Sequence, residues 1–371
     1  MKIICLQENL NKGLSIVSHL ASGNITLPIL NNILLKIEKG VLTLTSTNLE
    51  IGIQTQIRGK VEKEGSFTVP AQILSNYINL LPKEQISLEL VENELIIKSK
   101  NSKTKIKGIS TEEFPLIPKI EKRDGYKVKI NDFKQALQQV IFAAYQEESR
   151  PEISGILFNF NYPQSGKITL VATDSYRLAE KSLDLKEYSK KENVKIIVPK
   201  NTIQELLRIL TPEEDALEIY LSENQILFYY NETELISRLI SGQYPDYQQI
   251  IPQNYKTKTI INIENFIKIV KGASLFSQSG INDVNLEILP KENKIIISSL
   301  NNQLGEYKSE VEGEIEGEEN KIVFNYRYLL DGLLNINDNE VGLEIINDAS
   351  PGILRPAEDK SYLYLIMPIK Q

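Results

Sequence analysis

One plan is written three times along this chain, and that repetition limits the possible fold more than any other feature. Three stretches, "IICLQENLNKGLSIVSHL", "VKINDFKQALQQVIFAAY" and "TIINIENFIKIVKGASLF", each open as a short strand. Each then passes an Asn-, Asp- or Glu-bearing turn and continues as an apolar helical pattern. Leu10, Leu14 and Val17 in the first correspond to Phe133, Leu137 and Val140 in the second and to Phe266, Val270 and Ala273 in the third. Spacings of i, i+4 and i+7 place each trio on one helix face.

A second element recurs in step: "FTVPAQILSNYINLL", "IIVPKNTIQELLRIL" and "IVFNYRYLLDGLLNI" each read as an apolar strand followed by a helix. Pro70, Pro199 and Asn325 stand at the joins. Proline suits a helix start because its missing N–H would lack a partner there anyway. The stripes are Leu74/Ile78/Leu81, Ile203/Leu207/Leu210 and Leu329/Leu333/Ile336. A third, weaker element ends alternating strands at Asn48, Asp174 and Asn301. Boundaries fall near residues 122 and 253, dividing the chain into 1–122, 123–253 and 254–371. The text between helices, such as "ISLELVENELIIKS" and "ALEIYLSENQILFYY", alternates and carries turn residues at hairpin spacing. The expected class is α+β, two helices on largely antiparallel sheet in each repeat.

The run "VATDSYRLAEKS" poses the sharpest functional question, because Asp174, Ser175 and Arg177 resemble a catalytic cluster. A serine nucleophile needs a base, and the single histidine, His19, lies in another repeat. One histidine also excludes a multi-His metal site, and a solvent-facing place on the first helix suits it. No glycine-rich phosphate loop occurs. Asp174 aligns with Asn48 and Asn301, so its first role is an Asx-type turn closing a strand. The lone Cys5, in "KIICL", allows no internal disulfide and reads as a buried small apolar residue in a reducing compartment. No segment has the length of a membrane span, and the expected location is cytoplasmic. No cofactor is expected. A net charge of −7 argues against a wholly basic nucleic-acid binder, yet permits positive charge gathered on one surface.

Charge is also patterned along two strands. "SKTKIKG" puts Lys103, Lys105 and Lys107 on one face, and "EVEGEIEG" does the same with Glu310, Glu312, Glu314 and Glu316. They read either as two edges guarded against aggregation or as complementary edges that pair between chains.

Taken together, "TLPILNNILL", "VPAQIL", "VPKNTI", "VATDSYRLA", "SGQYPDYQQIIP" and the final "YLIMPIKQ" resemble the bacterial DNA polymerase III β-subunit family, the replicative sliding clamps. The likeness runs through all three repeats. It implies a head-to-tail homodimer closing a six-domain ring, with helices facing duplex DNA and sheets outside. Candidate DNA-facing residues on the helices' polar faces are Lys12, His19, Gln72, Asn76, Lys134, Gln138, Lys200, Gln204, Arg208, Lys268 and Lys271. Each alone is an ordinary solvated helix residue. Asn24 occupies a loop where relatives carry a basic DNA contact, and Arg150 in "EESRPE" is the candidate substitute.

The resemblance further implies a peptide groove of Ile153, Thr173, Ser175, Tyr176, Arg177, Leu178, Pro245, Gln249, Ile250, Ile281, Leu365, Ile366, Met367, Pro368 and Ile369. The chain departs from the family at Ser175-Tyr176, where Gly-His is common, and at Gln249, where a basic residue is. For the dimer contact it implies Ile106, Leu275 and Phe276 as a dry centre beside the charged strands. Polymerase, clamp loader and repair proteins are the partners implied. The loader would supply the ATP-driven opening for which this chain has no motif.

Overall fold

The computed structural model describes residues 1–21, 27–147, 149–189, 193–211 and 216–370. Six α-helices stand among them: α1 (Gln7–Val17), α2 (Ala71–Leu80), α3 (Ile130–Ile141), α4 (Lys200–Ile209), α5 (Ile263–Ser274) and α6 (Tyr326–Leu334). Each recurs where the repeat places it. The expected turn before α1, α3 and α5 is absent, because the strands Lys2–Leu6, Tyr126–Lys129 and Thr257–Asn262 run straight into their helices. Asn262 caps α5 by accepting from the Asn265 N–H, and Asn325 caps α6 by accepting from that of Arg327.

The helix stripes are the core. Leu10, Leu14, Val17, Phe133, Leu137, Val140, Phe266, Val270 and Ala273 are all fully buried. The second stripes are buried as well, apart from Leu207, which is half-exposed. Gly332 in α6 shows how closely these layers meet: a Cβ there would lie 2.3 Å from Cδ1 of Tyr364. Any side chain would displace that fully buried ring, whose hydroxyl bonds the Tyr328 carbonyl at 2.9 Å.

The chain forms two compact units, residues 1–130 with 208–239 and residues 131–207 with 240–371. The units do not follow the repeat because the middle repeat lends strands to both. In the first unit Thr233–Arg238 pairs with Ile51–Arg58, extending a sheet to eight strands beside a separate five-stranded sheet. In the second unit Arg177–Asp184 pairs with Tyr362–Ile366 inside a nine-stranded sheet, beside a four-stranded one. Every strand-to-strand ladder described is antiparallel. Among the described residues no helix is long and apolar enough to cross a membrane.

Candidate functional site

The tight turn at residues 173–177 is held by its own side chains. Asp174 Oδ1 accepts from the Tyr176 and Arg177 N–H groups, both at 3.0 Å. Thr173 Oγ1 donates to the Arg177 carbonyl at 2.6 Å and accepts from the Ser175 N–H at 3.1 Å. Ser175 sits at φ 78°. The first repeat builds the same turn. Asn48 Oδ1 accepts from Glu50 and Ile51 at 3.1 and 2.7 Å, Thr47 Oγ1 serves Ile51 and Leu49, and Leu49 has φ 78°. Asn301 Oδ1 likewise accepts from Gln303 and Leu304 at 3.0 and 3.2 Å. The Asx reading of Asp174 holds in all three repeats, and the apparent catalytic cluster is a turn.

The second copy differs in what its side chains then reach. The Arg177 guanidinium is buried, donating from Nε to Asp174 Oδ2 at 2.9 Å, from Nη1 to Asp331 and from Nη2 to the Phe142 carbonyl at 3.1 Å. It lies 4.6 Å from the centre of the Tyr328 ring, which in turn stacks on exposed Tyr176 at 6.4 Å. Met367 N–H closes the seam by donating to the Tyr176 carbonyl at 2.8 Å. Below it Ile153, Leu157, Val171, Leu178, Tyr244, Tyr247, Ile353, Leu363 and Leu365 pack as one cluster, with Met367 half-buried against it.

The structure therefore brings Ile153, Thr173, Ser175, Tyr176, Arg177, Leu178, Leu365, Ile366 and Met367 to one seam. Ile153, Leu178, Leu365 and Ile366 are fully buried and form the floor, not the walls. Pro245, Gln249, Ile250 and Ile281 are exposed, with Gln249 bonded to Asp246 at 2.8 Å; Pro368 and Ile369 are half-buried. Tyr328, Asp331 and Phe142 belong to the seam and went unseen in sequence. Tyr328 stands in a helix-start segment that reads equally well as surface, so only the fold exposes its role.

Arg150, a candidate DNA contact, has a partner in the turn. Its Nη1 donates to Ser175 Oγ at 2.7 Å, which groups it with the residues of this seam. Asn24 lies outside the described residues. Of the remaining DNA-facing candidates all are exposed except Lys134 and Lys200, which are half-buried. Lys200 donates to the Ala144 carbonyl at 3.3 Å, and burial, then the charge of Arg177, lowers its pKa. Arg208 donates to the Ser15 and Ile16 carbonyls at 2.7 Å each, so it secures the last turn of α1.

The charged strands are free edges: Lys103–Lys107 is outermost in the five-stranded sheet and Gly305–Glu312 outermost in the four-stranded one. Two expectations need correcting. Ile106 is only 4% exposed, because the pleat that turns the lysines to water turns Ile106 into its own core. The acidic run is also not one strand. Glu310 and Glu312 end one strand, while Glu314 starts Glu314–Gly317 in the nine-stranded sheet. Gly313 makes that crossing, passing so near that a Cβ would lie 2.6 Å from the Ile260 carbonyl oxygen. Apolar surface beside the two edges comes from Leu275 and Phe276, which the resemblance implied, and from residues the sequence did not single out. Ile73 and Leu80 on α2 are 56% and 81% exposed, and Tyr77 between them bonds Ser102 beside the lysine strand. On the other unit Leu275, Leu300 and Leu304 are 71%, 60% and 67% exposed, and Phe276 stacks on Tyr307.

Comparison with known proteins settles the class. Models of the DNA polymerase III beta subunit match in three consecutive pieces: the N-terminal domain over residues 1–118, the central domain over 127–246 and the C-terminal domain over 248–370. This chain belongs to the DNA polymerase III beta-subunit family. The beta sliding clamp of Staphylococcus epidermidis is 31% identical over 355 residues, which covers 93% of either chain. Among solved structures, the DNA polymerase sliding clamp from Bacillus subtilis superposes with a TM-score of 0.94 at 27% identity, over 100% of this chain and 99% of that one. The DNA polymerase III subunit beta from Pseudomonas aeruginosa superposes equally well at 26% identity, over 100% of each. The chain is a sliding clamp of three clamp domains, a processivity factor and not an enzyme.

Proposed function

We propose that two copies of this chain close head to tail into a ring around duplex DNA, with domains at 1–122, 123–253 and 254–371. Partner proteins would be tethered through the Arg177–Met367 cleft. The observation that carries the ring is the presence, on one chain, of two different free edges of opposite charge. A heterologous closed interface needs two unlike, complementary surfaces. The lysine edge would face Glu310 and Glu312 of a second copy, with Ile73, Tyr77 and Leu80 against Leu275, Leu300, Leu304 and Phe276 as the dry centre. Burying one leucine yields roughly 1.5–3 kcal/mol, against under about 1 kcal/mol for an exposed ion pair. The apolar contacts therefore hold the ring, and the charges set its partner and direction.

Lys12, Lys268 and Lys271 on the exposed helix faces supply phosphate attraction that carries no sequence information, as sliding requires. The cleft, with an adaptable methionine over an apolar floor, suits short peptides with apolar anchors from the replicative polymerase, the clamp loader and repair proteins. We place the protein in the cytoplasm, where its DNA would be.

The test joins mass in solution with DNA topology. The wild-type chain should sediment as a dimer, and once loaded should stay on closed circular DNA and leave when the circle is cut. Leu80→Glu should dissociate the dimer more than Lys105→Glu does. A wild-type monomer, or equal retention on closed and linear DNA, would sink the ring.

A further inference from the structure

In the first unit the strand Ile51–Arg58 outruns one of its neighbours. Its ladder with Thr233–Arg238 ends where Thr55 pairs with Thr233, while Gln56, Ile57 and Arg58 continue beside the strand Val41–Thr47 alone. The turn at Asn231 and Glu232 adjoins this open flank, and the Gln56 N–H donates to the Glu232 carbonyl at 3.3 Å. Helix α1 rests on the same strand, so close at Gly13 that a Cβ there would lie 2.7 Å from Ile57 Cδ1. The end of α4 completes the frame. These elements enclose a cavity of about 470 Å³, and every residue lining it belongs to the first unit.

Cross-ties fix its shape. The Thr55 and Thr233 hydroxyls share a hydrogen bond at 2.9 Å, and the Tyr230 hydroxyl donates to the Ile209 carbonyl. Arg208 donates to the Ser15 and Ile16 carbonyls, and the Ser46 hydroxyl to that of Val17 at 2.6 Å. These bonds matter because α1 and α4 both end here, and bare carbonyls at a helix C-terminus repel an anion. The four carbonyls named are already served. The charge left at the cavity is of one sign: Lys12, Arg58 and Arg208 line it and no carboxylate does, in a chain of net charge −7. Arg208 is committed to α1 and contributes its field. Arg58, exposed on the open flank, pairs with no carboxylate among the described residues. Ile16, Ile57 and Ile209 supply apolar wall, while exposed Asn9 and Gln56 each bring an amide that can donate and accept.

We propose that this cavity binds a nucleotide, with its phosphate at Lys12 and Arg58 in the field of Arg208 and its base against the isoleucines, edge toward the Asn9 and Gln56 amides. The volume is far more than a bare phosphate needs and falls within the range of small-molecule sites, roughly 300–1,000 Å³. A bare anion would leave the isoleucine wall uncovered, and a neutral ring would leave the cations without a partner. Cations beside a partly enclosed, low-dielectric wall act on a phosphate more strongly than the same cations on an open face. A free nucleoside monophosphate and a nucleotide of a single DNA strand offer the same chemistry. A base inside a duplex is stacked and paired, and does not. The inference goes beyond the proposed function and needs neither the ring nor the peptide cleft.

Isothermal titration calorimetry on the full-length chain would use deoxyadenosine monophosphate, with deoxyadenosine and inorganic phosphate as its separate halves. The nucleotide should saturate a single site per chain, and each half should bind at least about tenfold more weakly. Arg58→Gln should weaken the nucleotide by about tenfold or more, the yield of a hydrogen bond to a charged group. Arg123→Gln makes the same change of charge at an exposed residue outside the cavity and should leave binding unchanged. A single strand of five deoxyadenylates separates the two sources. If it displaces the monophosphate, and Arg58→Gln weakens both, the site takes a nucleotide of a strand; if the monophosphate stays bound, the site takes the free form. Either result supports the nucleotide site. Three results would each overturn it: no saturable nucleotide binding, either half binding as tightly as the whole, or Arg58→Gln binding the nucleotide as tightly as Arg123→Gln does.

Discussion

Replacing Arg177 with alanine should loosen the cleft and the second unit together. The guanidinium is 8% exposed and joins Asp174 to Asp331 and the Phe142 carbonyl. Removing one partner of a buried ion pair costs about 3–5 kcal/mol, most of it the charge left behind. Two observations favour the low end. Asp174 keeps its two backbone N–H donors, and Asp331 is 44% exposed, so water can take the place of the lost cation. What stays unserved is the Phe142 carbonyl and the space between the Phe142 and Tyr328 rings, and the expected loss is about 3 kcal/mol. For a folding unit of this size that lowers Tm by roughly 6–12 °C. Circular dichroism suits the measurement, because the chain has no tryptophan. Arg177→Lys keeps the charge but not the planar fork, and should lose about half as much. Tyr176→Ala, at a residue 62% exposed, should leave Tm unchanged while weakening peptide binding. A fall of under about 2 °C for Arg177→Ala, with peptide binding intact, would refute the reasoning: the guanidinium would then be decoration on a seam held by its apolar floor alone.

Two further outcomes follow from the geometry. Asn48→Ala removes the acceptor for two backbone N–H groups in the first repeat's turn, one at 2.7 Å, and should cost about 1–2 kcal/mol by urea unfolding; no change would mean that water serves those groups equally well. Lys181, itself buried, bonds Asp359 and Ser361 across the same strand seam. Burial raises the Asp359 pKa, but the bonds from Lys181 and Ser361 outweigh it and the net shift is downward. A depressed acid stabilises the fold above its unfolded pKa and loses that contribution as pH falls through the folded one. The Lys181→Met variant should therefore differ from wild type at pH 7, the gap closing as pH falls below about 4 and gone only below the lower folded pKa. A gap that persists in acid would assign the effect to packing.

The helices were legible because their signal is local. A stripe at i, i+4 and i+7 fixes a buried face wherever the helix docks, and Leu10, Phe133 and Phe266 are buried for that reason. Strand parity is equally local, which is why the three lysines at 103–107 do share an exposed face. Parity cannot say which side of a strand is already occupied, and the interface place that the resemblance implies for Ile106 meets a side chain already buried in its own sheet's core. Nor can it say where one sheet ends: the alternation of "EVEGEIEG" continues unbroken while Gly313 carries the chain from one sheet to another. The contacts of Arg150 and Tyr328 lay beyond the sequence for a third reason. Each finds its partner, Ser175 or Tyr176, across a separation no local pattern spans.

The three Asx turns show how one backbone turn can carry different side-chain contacts. Leu49 and Ser175 share the same φ, and the same Thr–Asn/Asp scaffold holds both. An amide suffices for the two N–H bonds, so asparagine and aspartate are interchangeable as far as the turn is concerned. They are not interchangeable toward a cation. With Asp at 174, the second carboxylate oxygen is available to a guanidinium at residue 177, three positions on; in the first repeat Asn48 is followed at that offset by Ile51, which points into the core. That one pairing draws a charged residue into the seam, where it also reaches Asp331 on α6. The second repeat's turn is thereby tied to the third repeat's helix, and Tyr328 is brought beneath Tyr176. The seam is tied at this turn because the turn carries a charge that the first repeat's turn lacks.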